Sequence, residues 1–370
     1  MKLKSIFFLF ATILLASCSS DDPVTNPNEP RGLNIEIVNP NDGSGMVTVA
    51  ATAFNTVEYH FYMGDGQSQD PLVSTDGIIE YKYQVLGTYL VEVRAYGTSG
   101  RYVKKTKEIV VKSDTPVSVG QGYTSPTEYE GYELVWNDEF IGNALDGNNW
   151  THEIGTGCPN LCGWGNNELQ YYREENTSVG DGVLTITAKK ESFQGSSYTS
   201  SRIITEDKRE FKYGRFDIRA LLPRGQGLWP AIWMLGANHD AIGWPFCGEI
   251  DIMEMIGGDG RENTVYGNVY WDENGTRNQP DITTLDSGNF FDEYHVFSII
   301  WDETEICWLV DDVKFHSFSI TQSTRAAFRN EFFFILNVAV GGNFPGSPDE
   351  TTVFPTEMKV DYIRVFQEKN

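Results

Sequence analysis

The sequence predicts an all-β protein in two parts: a small β-sandwich, then a large antiparallel sandwich of two sheets. Three observations carry this. Short runs of alternating apolar and polar residues recur from residue 33 onward, closed by Gly, Pro, Asn or Asp. Clear amphipathic helices are absent. Two stretches poor in apolar residues, 18–32 and 113–130, divide the chain as linkers.

In chain order, residues 1–17 read as an export signal. Lys2 and Lys4 give the positive start, and Ile6 to Leu15 give an apolar stretch too short for a typical transmembrane helix. Leu15-Ala16-Ser17-Cys18 resembles a bacterial lipobox, which implies Cys18 as the lipidated first residue of the mature chain. Ser19-Ser20-Asp21-Asp22 resembles the acidic tag of exported surface lipoproteins. Together they imply a cell-surface or outer-membrane protein that meets the membrane through lipid alone, or else a secreted one.

Residues 33–112 form the first unit. Val47-Thr48-Val49, Tyr59 to Tyr62 and Tyr89 to Ala95 alternate as strands do, with turns at Gly64-Asp65-Gly66 and Leu86-Gly87. Tyr62 to Gly66, and Tyr81-Lys82-Tyr83 through Gly87 to Val93, resemble the polycystic-kidney-disease type of immunoglobulin-like module, with Met63 where that family usually has an aromatic. The resemblance implies a spacer, although some such modules bind glycans.

Residues 131–370 form the second unit. Strand patterns fall at Val183 to Ala188, Arg215 to Leu222, Ala231 to Leu235, Tyr294 to Trp301, Cys307 to Val310, Phe332 to Val340 and Val360 to Phe366.

A net charge of −24 argues against nucleic acid and against anionic polymers, and suits a neutral ligand. Abundant Tyr and Trp serve a β-rich core and also supply flat faces for sugar rings. Cys158, Cys162, Cys247 and Cys307 can oxidise in an exported chain; the first two are close enough to pair, though spacing does not establish it. His60, His152, His239, His295 and His316 are scattered, which argues against a zinc site.

The segment with most chemical content is Gly248-Glu249-Ile250-Asp251-Ile252-Met253-Glu254-Met255. Glu249 and Asp251 share one face of a strand, opposite Ile250 and Ile252. Glu254 is out of phase unless one extra residue, a bulge around Ile252-Met253, returns it to that face. Crowding like charges costs stability and raises carboxyl pKa values, as a nucleophile and proton-donor pair requires. Just upstream, Trp229, Ala231 and Trp233 share a strand face, two indoles that can line a cleft, with Trp244 nearby.

These segments resemble glycoside hydrolase family 16 and its laminarinase-like endo-β-1,3-glucanases. The match includes Leu134 to Phe140, Gly163 to Tyr172, Tyr213 to Phe216, the Trp229 segment, Gly248 to Glu254, Asn337 to Gly346 and Asp361 to Val365. The resemblance implies a β-jelly roll and a retaining mechanism on a neutral β-glucan. Glu249 would be the nucleophile, Glu254 the general acid/base, and Asp251 their tuning neighbour. Asn166, Arg202, Trp229, Trp233 and Trp244 would bind substrate. Tyr270 stands where the family often has His, and it cannot titrate near neutrality. No cofactor is implied for catalysis; a structural calcium is, with Asp361, the Gly182 carbonyl and Glu139 as ligands. The enzyme is expected to be a monomer. Alternatives are a mixed-linkage β-1,3-1,4-glucanase, a galactan hydrolase of the same family, or a surface glycan-binding lipoprotein without catalysis.

Overall fold

The computed structural model describes residues 29–39, 45–66, 70–83, 87–111 and 120–369. The export signal and Cys18 lie outside the described residues. The chain divides into two compact units, Met1–Pro116 and Val117–Asn370. Among the described residues, no helix is long and apolar enough to cross a membrane.

The first unit is built of a three-stranded sheet (Arg31–Val38, Met46–Phe54, Ile78–Lys82) and a four-stranded sheet (Leu72–Ser74, Glu58–Tyr62, Gly87–Tyr96, Tyr102–Val111). All pairings are antiparallel. Inward residues at every second position, among them Val47, Val49, Phe61, Val91 and Val93, make its core. Met63 belongs to that core, and its carbonyl accepts a 2.8 Å hydrogen bond from the buried Tyr83 hydroxyl.

The second unit is a sandwich of an eight-stranded and a nine-stranded sheet. In the eight-stranded sheet the central strand Gly214–Leu221 lies between Thr356–Glu368 and His295–Trp301. Its alternation is complete. Phe216, Ile218 and Ala220 face the core, while Arg215, Asp217 and Arg219 face away from it. Those three are nevertheless buried, because residues 120–130, expected to belong to a linker, cover them. Tyr129 donates to Asp217 at 2.7 Å, and the carbonyls of Gln121 and Tyr123 accept from Arg219. The apolar content of this stretch is low because its work is to satisfy charged groups, not to fill a core.

The nine-stranded sheet carries the cleft. Across it run Thr276–Asn278, Thr264–Asp272, Glu249–Glu254, Leu228–Gly236, Phe332–Val340, Arg202–Ile204 and Thr151–His152. Val183–Ala188 and Phe332–Val340 have the bounds the sequence pattern predicts. Leu228–Gly236 starts before the expected Ala231, since Pro230 at the strand's head does not break it.

Candidate active site

The acidic strand is bulged. Against its neighbour, Trp233 pairs with Asp251 and Ile232 with Met253, which leaves Ile252 extra. On the other side Asn268 pairs with Asp251 and Tyr266 with Glu254, three positions facing two. The bulge exposes the Asp251 carbonyl, and the buried indole N–H of Trp308 donates to it at 2.8 Å. Gly267 makes room for that indole: a Cβ there would lie 2.6 Å from Trp308. Ile250, Ile252, Met253 and Met255 all enter the core, so the extra residue is absorbed on the apolar side.

The register lays out the cleft as rows across the sheet. One row reads Tyr266, Glu254, Ala231, Asn337, Arg202; the next Asn268, Asp251, Trp233, Ile335, Ile204; the next Tyr270, Glu249, Leu235, Phe333. The structure thus brings Glu249, Asp251 and Glu254 to one face with Trp233, Asn337, Arg202 and Tyr270. Ala231 beside Glu254 leaves space where a large side chain would block the carboxyl.

Each group is held. Trp229 Nε1 donates to Glu254 Oε1 at 2.9 Å, and its ring meets Phe344 edge to face at 5.5 Å. Trp233 Nε1 donates to Asn337 Oδ1 at 2.8 Å, and Asn337 Nδ2 donates to Tyr172 at 3.2 Å. The Arg202 guanidinium lies 4.5 Å from the Trp164 ring and 4.9 Å from Trp233, and its Nε pairs with Glu153. Trp244 is 47% exposed, packs 5.8 Å from Tyr270, and donates a hydrogen bond to Glu249. Asn166 reaches Glu168 at 3.4 Å, and its carbonyl accepts from the Asn343 amide.

Burial pushes the carboxyls of Glu249, Asp251 and Glu254 above the ordinary carboxylate range, and the charge of Glu254 adds to the effect on Glu249. Three carboxyls in one space cannot all ionise together. Hydrogen bonds and a nearby cation offset part of that rise, though burial still pushes Glu249 up to about 8 and Glu254 to about 7. Trp244, Asp251 and the field of Arg202 favour ionised Glu249, while for Asp251 the bond to Glu249 favours the protonated form. Asp251 Oδ2 is buried and accepts from no donor, which suits a neutral carboxylic acid better than a bare anion. Trp229 pulls Glu254 back toward ionisation.

Sequence reasoning missed Glu168, Glu153, Tyr172, Asn337 and Phe344. Glu168 is mostly buried, its carboxyl raised by that burial, and it accepts from Gln170 at 2.6 Å and Tyr172 at 3.0 Å. An acid among aromatics in Asn166 to Tyr172 was the available signal.

The expected calcium ligands sit elsewhere, on the eight-stranded sheet. Val360 pairs with Leu184 and Ile363 with Asp138, so Asp361, Gly182 and Glu139 lie near one another. Both Glu139 oxygens accept from Arg364, at 2.8 and 2.9 Å, and Asp361 Oδ2 accepts from Arg219 at 2.7 Å. Glu139 and Asp361 thus each already pair with an arginine, while oxygen donors of this kind are the type a hard cation takes. Among the described residues, Glu206, His239 and Asp240 form the cluster with metal-ligand spacing. Cys158 and Cys162 form a disulfide, and Cys247 and Cys307 are buried thiols.

Comparison with known proteins places this geometry among relatives. The model described as glycosyl hydrolases family 16 matches residues 165–364, and one described as beta-glucan synthesis-associated protein SKN1/KRE6/Sbg1 matches 71–244. The chain is 40% identical over 252 residues to a beta-glucanase of Rhodothermus marinus, spanning 64% of this chain and 85% of that protein. It is 38% identical over 240 residues to the clotting factor G alpha subunit of Tachypleus tridentatus, spanning 64% of this chain but only 34% of that protein. Among solved structures, the laminarinase catalytic domain of Thermotoga maritima superposes with a TM-score of 0.60 at 46% identity, covering 65% of this chain and all (100%) of that one.

Proposed function

We propose, from the premise that the chain belongs to glycosyl hydrolase family 16, that it is a retaining endo-hydrolase of β-1,3-glucosidic bonds in laminarin-type glucans. The observation that carries the reading is the bulge that turns Glu249, Asp251 and Glu254 onto one face. Glu249 attacks the anomeric carbon as the leaving oxygen takes the proton of Glu254, giving a glycosyl-enzyme ester and a free hydroxyl on the departing chain. Esterification removes the charge of Glu249. Glu254, now ionised, takes a proton from water as its oxygen attacks the anomeric carbon, and Glu249 leaves as carboxylate. Asp251 holds a proton against Glu249 and stabilises its charge each time it returns. Tyr270, rowed with Glu249, offers a hydroxyl as donor and takes no part in proton transfer, since burial raises it further above neutrality.

Arg202, Asn166, Trp233, Trp229 and Trp244 bind the glucan in this reading, with Trp164 and Glu153 fixing the Arg202 fork. The runner-up substrate is mixed-linkage β-1,3-1,4-glucan. The extra residue in the acidic strand favours β-1,3-glucan, since lichenase-type members usually lack it. Sugar release from laminarin, lichenan, agarose and carrageenan, with the product anomer followed by NMR, tests both. The β-anomer appearing first from laminarin is expected; α-anomer first, or no release from laminarin, overturns the reading.

The same reading extends to the cell surface. The lipobox supports Cys18 as the anchored residue of a monomeric lipoprotein, with the first unit as a polycystic-kidney-disease-type module. Cys18→Ala should move the protein from the membrane fraction to the medium. A calcium on Asp361, the Gly182 carbonyl and Glu139 would stabilise this sheet; a melting temperature unchanged by chelator counts against it.

A further inference from the structure

One feature of the first unit is unused by the cleft. On the outward face of its four-stranded sheet, register sets Tyr96 beside Tyr102 and Arg94 between His60 and Lys104, with Tyr62 beside Glu92. The rings form one strip: His60 and Tyr96 have centroids 4.4 Å apart, Tyr96 and Tyr102 4.9 Å. The Arg94 guanidinium continues it, 4.4 Å from the Tyr62 ring and 5.3 Å from Tyr102. Glu92 fixes Arg94 at 2.6 Å and Lys104 at 2.9 Å. Tyr102 is 45% exposed. The outer face of the partner sheet instead mixes aliphatic and polar residues such as Val38, Thr48, Ile78 and Glu80, with Phe54 at the end of its strand and no comparable run of neighbouring rings among the described residues.

We propose that this face is a second carbohydrate-binding site, for a neutral β-linked glucan chain. The strip crosses three strands, about 10 Å, the length of roughly two glucosyl units. Its rings are held by one another and by Arg94, which Glu92 fixes, so little side-chain entropy remains to be lost on binding. Its charges cancel: Arg94 and Lys104 stand against Glu92 and Glu58, the last paired with His60 at 3.1 Å. That balance, in a chain of net charge −24, fits a neutral ligand and neither an acidic nor a basic one. The neighbouring rings, tilted by 40° at each step, present apolar surface for sugar C–H groups, while Arg94, Lys104 and Glu92 offer donors and acceptors at the margin for hydroxyls. The choice of glucan as occupant rests on the proposed function of the cleft.

The test uses the full chain arrested by Glu249→Gln, mixed with an insoluble linear β-1,3-glucan, and compares it with the same chain carrying Tyr96→Ala and Tyr102→Ala. Retention should fall at least 10-fold in the double variant, with Tyr102→Phe close to the parent. In the catalytically intact background, the double variant should hydrolyse short soluble laminari-oligosaccharides at the parental rate but release less sugar from the insoluble polymer. Equal retention of the parent and a folded double variant, judged by an unchanged melting curve, overturns the proposal. So does preferential retention on a uronate polymer. Oligosaccharide hydrolysis reports the cleft alone, so failure there would be seen separately from failure of this face.

Discussion

The two faces of the second unit bury carboxylates in opposite ways. On the eight-stranded sheet, fully buried Asp217 accepts from Arg215 at 2.8 Å, Ser298 at 2.7 Å and Tyr129 at 2.7 Å. On the nine-stranded sheet, Asp251 is as deeply placed but has a bare Oδ2 and two acids beside it. The first arrangement satisfies charge and fixes structure. The second leaves it unsatisfied, which a fold tolerates where protons and electron pairs must move. A buried acid with cations is a strut, and buried acids in each other's company are a tool.

The largest effect should come from breaking the tool. Glu249→Gln and Glu254→Gln are each expected to lower kcat/KM on laminarin about 10³-fold or more while the protein stays folded. Activity within tenfold of the parent would remove these residues from the mechanism. Breaking the strut should do the reverse. Asp217→Ala leaves buried Arg215 with exposed Asp312 as its ion-pair partner among the described residues, and should cost about 3–5 kcal/mol in chemical denaturation, with little change in the kcat of the surviving folded protein.

Asp251 tests the middle of the comparison. Asp251→Asn keeps a donor toward Glu249 and should cost about 10-fold in kcat; Asp251→Ala removes it and should cost about 100-fold. Equal, small losses from both would make Asp251 a packing residue.

The pH dependence of stability separates the two faces further. The trio titrates above the ordinary value, at about 7 for Glu254 against 4.5 for a free Glu. As pH rises past 4.5, the unfolded chain has lost protons that the folded chain still holds, so these groups weaken the fold progressively up to the folded-state value. Glu249→Gln with Glu254→Gln should therefore raise the melting temperature more at pH ~8 than at pH ~5, by about 2–4 °C for each kcal/mol relieved. A difference independent of pH would mean that burial does not raise these carboxyls above their unfolded values.

How far the sequence discloses each face follows from the range of the contacts. The acidic bulge is written in eight consecutive residues, because side-chain alternation is a local property and its single slip is visible. The strands of the sandwich are legible for the same reason. The strut is not: Arg219 is 98 residues from Gln121 and Arg215 is 97 from Asp312. Residues 120–130 therefore read as a linker, since their polarity answers to partners that only the fold supplies. Arg202 and its partner Glu153 are 49 apart, which is why the arginine is legible by resemblance and its support is not.

The smallest effect concerns two indoles that the sequence treats alike. Trp229 and Trp233 share a strand face, yet Trp229 donates to the carboxylate of Glu254 and Trp233 to the neutral amide of Asn337. A bond to a charged acceptor favours the ionised form, so Trp229→Phe should let the Glu254 pKa rise. A charge-assisted bond contributes about 1.5 kcal/mol at the low end, or roughly one pKa unit. Because Glu254 must be protonated to start the reaction, the alkaline limb of kcat/KM should move upward by about that much. Trp233→Phe breaks no bond to an acid and should leave the limb in place, whatever it does to affinity. Equal shifts from the two variants, or none from Trp229→Phe, would show that the proton on Glu254 is governed by burial alone.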